Sequence, residues 1–277
     1  MTRDPRVTPL RDGLASRALE GLVRADRYVE PQRVAVAVPA ASLLAAADPG
    51  AERVDQVLFG EAFDMLARDG AYAWGQARRD GYVGYVEAAA LGPTDVAPTH
   101  RVAAGRTYAF ARPDFKAAAS GPYSLNSLVA EEGREGRFLK AAGAGWFFAG
   151  HLAPVGVFET DFVAVAERFL GSAYVWGGRE GSGFDCSGLL QQALFACGRA
   201  CPRDSDQQAG LGRPIGRGGL RRGDLVFWQG HVAIMVDRRR MLHANAHHMA
   251  VIVEPLAEAT ARIAAAGGGE PVGYRRL

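Results

Sequence analysis

A chain of 277 residues, 48% hydrophobic and 22% charged, has the composition of a globular protein and the length of two or three domains. Its net charge of +2 gives no reason to invoke nucleic acid or a membrane as partner, and no apolar run is long enough to span a bilayer. Three cysteines are too few and too clustered for a disulfide framework, which fits a reducing compartment.

Residues 1–32 read as a polar N-terminal extension with no apolar core of a secretory signal, so cytoplasmic residence is the expectation. Within them Leu14, Leu19, Leu22 and Val23 are spaced for a short helical stripe. Residues 33–92 carry short apolar runs broken by glycine and charge, at 34–38, 56–59, 62–66, 72–76 and 83–86. Short strands at such spacing predict a small β-barrel. Residues 93–155 hold a second series, at 107–110, 127–130, 137–140 and 145–148, and both series end on an aromatic-glycine strand. Two copies of one barrel type, joined at Gly92-Pro93-Thr94, are predicted.

From residue 156 the periodicity turns helical. Thr160 or Asp161 caps a run with Phe162, Val165, Ala166, Phe169 and Leu170 on one face, closed by Gly171. A second helix opens at Phe184-Asp185-Cys186-Ser187-Gly188, with Leu189, Leu190, Ala193, Leu194 and Cys197 as its buried stripe. Strands at 224–228, 231–236, 241–244 and 251–254 follow a loop. Helices first and an antiparallel sheet after predict an α+β domain over 156–277.

A cysteine on the first turn of a helix sits where free backbone N–H groups favour negative charge, which lowers a thiol's pKa and supplies thiolate. Cys186 is therefore the candidate nucleophile, and it needs an imidazole whose tautomer a third group fixes. His231 begins an apolar strand and His243 lies on the next. A three-residue turn over 237–239 sets Ala233 opposite His243, so His231 and His243 become diagonal neighbours on one face. The same register puts Asn245 opposite His231, so either His243 or Asn245 is the orienting residue. Cys197 and Cys201 are not a C-x-x-C pair, no metal-ligand spacing is present, and no metal or organic cofactor is implied.

Tyr174-Val175-Trp176-Gly177-Gly178, the Cys186 motif, Gly223-Asp224-Leu225-Val226-Phe227-Trp228, His231-Val232-Ala233-Ile234 and Leu242-His243-Ala244 together resemble the NlpC-type cell-wall cysteine peptidases. The resemblance implies a multidomain chain: two small all-β SH3-like barrels (33–92 and 93–155) followed by a papain-like catalytic domain (156–277). It assigns Cys186 as nucleophile, His231 as general base and His243 as orienting residue, with Tyr174 near the developing oxyanion. Two barrels ahead of the domain and Pro202-Arg203-Asp204-Ser205 within it narrow the likeness to γ-D-glutamyl-L-diamino-acid endopeptidases. These cut murein peptides that begin with a free L-Ala. Asp185, Ser187, Trp176, Asp204 and Ser205, with Glu61 and Tyr82 of the first barrel, would then bind substrate, the carboxylates holding the L-Ala ammonium. Arg179 and Arg203 would meet substrate carboxylates. The expected partner is the murein peptide L-Ala-γ-D-Glu-diamino acid, with no nucleic acid, membrane or obligate protein partner. The rival readings are an exported enzyme acting on intact cell wall, a non-catalytic wall-binding protein, and amidase or acyl-transfer chemistry on a related thiol fold.

Overall fold

The computed structural model describes residues 3–94 and 96–277. The chain divides into two compact units, Met1–Val155 and Gly156–Leu277.

The first unit opens not on a helical stripe but on a small sheet of Leu10–Arg11, Leu14–Ser16 and Arg27–Val29. Asp12 and Gly13 have φ of 47° and 73°, the left-handed pair that a tight hairpin requires, so Leu14 is buried on a strand. A seven-stranded antiparallel sheet comes next, in the order Leu91–Gly92, Gln32–Val36, Ala62–Asp69, Tyr72–Ala77, Val83–Glu87, Ala40–Leu44, Arg53–Leu58. Alternate residues of these strands, among them Val34, Val36, Leu43, Val57, Phe63, Ala73 and Val86, form its core. Ala40–Leu44 lacks β-branched residues and is a strand the sequence pattern does not reveal.

Residues beyond 96 build two further sheets. Leu128–Val129, His100–Val102 and Leu152–Pro154 make one. Ala119–Ser124, Arg106–Phe110, Gly145–Phe148, Phe138–Ala141 and Glu131–Glu135 make the other. Their core of Val102, Ala109, Tyr123, Val129, Leu139 and Phe147 takes in Phe59 from the first sheet's hairpin, whose ring meets Tyr123 edge-on at 5.2 Å. Leu128 N–H also donates to the Phe59 carbonyl at 2.8 Å, so the two β structures share side chain and backbone within one unit.

In the second unit Asp161 caps helix α1 (Phe162–Glu167), accepting from the N–H groups of Val163 and Ala164. Helix α2 (Cys186–Ala196) is buried on every side rather than along a stripe, with Gln191 and Gln192 buried too, while Cys197 beyond its end is half-buried. It packs on the strands His231–Met235 and Arg240–Asn245 and against α1, which accounts for its all-round burial. Short helix α3 (Ser205–Gln208) follows, then Asp224–Trp228, His231–Met235, Arg240–Asn245 and Ala250–Pro255 as consecutive antiparallel strands. Helix α4 (Leu256–Ala265) and a last strand, Gly273–Arg276, come after them, so the domain is not simply helices first and sheet second. The central strands sit inside a nine-stranded sheet whose outer members include Ala173–Tyr174 and Gly183–Phe184.

Candidate active site

The site is built where the glycine-rich segment meets the first turn of α2. Asp185 is the N-cap of α2, and its Oδ1 accepts from Gly188 N–H at 2.7 Å. Its Oδ2 accepts from Gly177 N–H at 2.9 Å, and Asp185 N–H donates to the Gly178 carbonyl at 3.0 Å. The 174–178 motif and the cysteine motif are thus one hydrogen-bonded structure. Gly177 takes φ of 68°, and a Cβ on Gly188 would collide with the Gly178 carbonyl, so both glycines are required by geometry.

Arg203 closes this structure. Its Nη1 donates to Asp185 Oδ1 at 3.0 Å and to Ser187 Oγ at 2.8 Å, and its Nη2 donates to Asp185 Oδ2 at 2.6 Å. Both partners are buried, Arg203 at 1% exposure and Asp185 at 5%. Asp185 and Ser187 are thus joined by a bidentate, buried guanidinium, and Arg203, expected to meet substrate carboxylates, spends its donors on these two side chains. Arg179 is likewise fully buried.

Cys186 lies on the first turn of α2, and its Sγ accepts from the backbone N–H of Val232, next to His231, and from that of Ser187. Burial, reinforced by the Asp185 charge, pushes the thiol up to about 12 despite those N–H groups and Arg203. The lowered thiol pKa expected from the helix terminus is therefore reversed. A helix end contributes about 0.3–1 kcal/mol, less than the equivalent of one pH unit, which the desolvation of a buried thiol exceeds.

The strands carry the imidazoles. Ile234 faces Leu242 and Met235 faces Met241, the register read from the sequence, and His231 Nε2 lies 2.7 Å from His243 Nδ1. His243 is buried, and its Nε2 lies 2.7 Å from Glu254 Oε1 on the following strand. Arg262 of α4 donates to the same carboxylate oxygen. Asn245 reaches His243, not His231: its Nδ2 is 3.1 Å from His243 Nε2, while its Oδ1 accepts from His248 N–H at 2.9 Å. Burial, then the proximity of His243 and Arg262, pushes His231 down to about 3, and burial also lowers His243. Burial alone would raise Glu254, but the His243 hydrogen bond and the Arg262 charge hold it below the ordinary carboxylate range.

Tyr174 lies half-buried close enough to Cys186 and Asp185 for their charges, after burial, to raise its phenol pKa. Trp176 is 56% exposed. Asp204 is the N-cap of α3, its N–H donating to Gln207 Oε1 at 3.3 Å; Ser205 is buried on that helix. Gln208 Nε2 joins α3 to the Ser187 carbonyl at 3.0 Å. Glu61 and Tyr82 belong to the first unit and are buried. Glu61 accepts from Leu58 N–H at 2.9 Å and pairs with Arg79 at 3.3 Å, and Tyr82 packs in the barrel core. Among the described residues no group of three or more His, Cys, Asp or Glu is arranged to hold a metal ion.

Residues 171–264 match the NlpC/P60 family, and residues 43–91 match the bacterial dipeptidyl-peptidase Sh3 domain. The gamma-D-glutamyl-L-lysine dipeptidyl-peptidase of Bacillus cereus is 35% identical over 104 residues, which is 35% of this chain and 31% of that protein. The protein of the same name in Bacillus subtilis is 37% identical over 92 residues, 30% of this chain and 31% of its own length. A probable endopeptidase of Corynebacterium glutamicum is 36% identical over 99 residues, 35% of this chain and 47% of that protein. Each match thus spans less than half of the relative's length. The crystal structure of an NlpC/P60 family protein from Bacillus cereus superposes with a TM-score of 0.76 over 88% of this chain and 99% of that one, at 19% identity, a likeness of fold. The chain therefore carries a catalytic domain of the NlpC/P60 peptidase family and, ahead of it, an SH3-type domain of the bacterial dipeptidyl-peptidase kind.

Proposed function

We propose that the protein is a cysteine endopeptidase that hydrolyses the γ-D-Glu–diamino acid amide of murein peptides with a free N-terminal L-Ala, in peptidoglycan recycling. The observation that carries the thiol mechanism is the placement of Cys186, on the first turn of α2 with its Sγ accepting from Val232 N–H, beside the strand that opens on His231, whose Nε2 lies 2.7 Å from His243 Nδ1. The thiol proton passes to His231 as Sγ attacks the γ-carbonyl carbon. The tetrahedral oxyanion is met by backbone N–H at the α2 terminus and by the Tyr174 hydroxyl, one such donor being worth about 3 kcal/mol of barrier. His231 then protonates the diamino acid's leaving amine. Water, deprotonated by His231, cleaves the thioester and restores the thiol.

The substrate is supported by the motif resemblance and by relatives whose name specifies a γ-D-glutamyl-L-lysine bond. Of the three carboxylates nominated for the L-Ala ammonium, Asp185 and Glu61 are buried in ion pairs, and Asp204 is the half-buried one. The test is mass spectrometry of digests of L-Ala-γ-D-Glu-diaminopimelate and its N-acetylated twin. Cleavage of the free peptide alone, abolished by Cys186→Ala, is expected. Equal cleavage of both removes the ammonium requirement, and release of soluble peptides from purified sacculi instead would assign the enzyme to intact wall.

A further inference from the structure

Glu254 is the group beyond the histidines that neither the motifs nor the family resemblance assigns. Its position repeats a geometric step. His243 faces Ile252 across the hairpin, so Glu254, two residues on, is the diagonal neighbour of His243 just as His231 is on the other side. Its carboxylate is ionised, held by Arg262 from α4, and a carboxylate can only accept. The 2.7 Å contact therefore requires the proton of His243 on Nε2. That leaves His243 Nδ1 as an acceptor, so His231 must place its own proton on Nε2, facing it at 2.7 Å. The remaining nitrogen of His231, Nδ1, then carries a lone pair, which is the form that accepts a thiol proton.

Asn245 opposes this arrangement. Because Asn245 Oδ1 is taken by His248 N–H, its Nδ2 points at His243 Nε2 at 3.1 Å and would suit an unprotonated nitrogen there. The shorter, charge-assisted contact to Glu254 prevails over it. We propose that Glu254, anchored by Arg262, is a positioning residue that fixes the tautomers of both His243 and His231 against Asn245, and so keeps His231 Nδ1 able to take a proton. Its charge also stabilises the imidazolium formed during acylation. The role rests on the thiol-peptidase reading but does not depend on which peptide is cut.

The test is nitrogen NMR of the full-length protein labelled at histidine, read without substrate and alongside kcat and KM on the murein tripeptide. Wild type is expected to show the Nε2–H tautomer at both histidines. In Glu254→Leu, Asn245 becomes the partner of His243 Nε2, so both rings switch to Nδ1–H, and kcat falls at least about 100-fold with KM within about twofold. Glu254→Gln keeps an acceptor oxygen, so it should keep the tautomers yet lose about tenfold in kcat. A folded Glu254→Leu with wild-type tautomers overturns the proposal. If that variant does not fold, Glu254→Gln with unchanged kcat overturns it. Switched tautomers in a protein that cleaves no murein peptide would instead sink the substrate reading and leave the positioning role standing.

Discussion

The Cys186 thiol and the His231 imidazole proposed as its base are both held in their neutral forms. With Cys186 pushed up to about 12 and His231 pushed down to about 3, the resting pair is thiol and imidazole, and charge separates only as the sulfur attacks. Alkylation by iodoacetamide should therefore speed up about tenfold per pH unit from pH 7 to 9 without levelling off, since the thiolate fraction is still rising there. A plateau below pH 8 would mean a preformed ion pair. Stability should report the same burial. Unfolded, His231 takes its proton near the ordinary value of about 6.5, whereas the folded ring takes it at about 3. The unfolded state thus binds the extra proton, and the stability contributed by neutral His231 is whole above pH 6.5 and lost as pH falls through that window. Urea titrations between pH 7 and 4 should show wild type losing stability more steeply than His231→Gln; parallel slopes would refute it.

The elements show what was legible in the sequence and what was not. The hairpin joining His231–Met235 to Arg240–Asn245 turns through Asp237, whose carboxylate accepts from the N–H groups of Arg239 and Arg240 at 2.8 Å, so composition announced the turn and fixed the register. The next hairpin turns at residues 246–249 with Met249 at φ of 50° and no glycine, so nothing in the sequence marks its register or sets Glu254 beside His243. Ala119–Ser124 and Glu131–Glu135 carry no strand signal because they are polar outer strands of their sheet, one containing Pro122, and lack alternation. The Phe184–Gly188 motif read as a helix start, correctly, but a sequence does not show that Arg203 returns to its cap. That return yields a prediction for the element. Arg203→Met leaves Asp185 buried without its cation and should cost about 3–5 kcal/mol in urea unfolding, with part recovered in the Asp185→Asn, Arg203→Met double variant. A cost below about 1 kcal/mol would mean the backbone N–H groups of Gly177 and Gly188 suffice for the carboxylate.

At the scale of the molecule, the candidate active-site residues of α2 and the histidine strands belong to one unit. Cys186, Tyr174, His231, His243, Glu254 and Arg262 all lie between Gly156 and Leu277, as do Asp185 and Arg203. So does the packing that holds them: the nine-stranded sheet and a core of Leu220, Val226, Trp228, Ala233, Met235, Met241, Leu256 and Ala259. The division falls at Val155 and Gly156, where both valines flanking the glycine, Val155 and Val157, are more than half exposed at 52% and 54%. A unit with its own sheet and its own apolar core has what a domain needs to fold alone. Residues 156–277 produced alone should therefore unfold in a single cooperative urea transition and keep Cys186 shielded from alkylation at pH 7 to the same degree as in the full chain. Thiol reactivity is the sharper of the two readouts, because the pKa near 12 comes first of all from burial of the thiol. A fragment that folds but alkylates at least tenfold faster would show that the fold of Gly156–Leu277 does not by itself supply that desolvation. A fragment without a cooperative transition would show that the Gly156–Leu277 core is not sufficient for the fold.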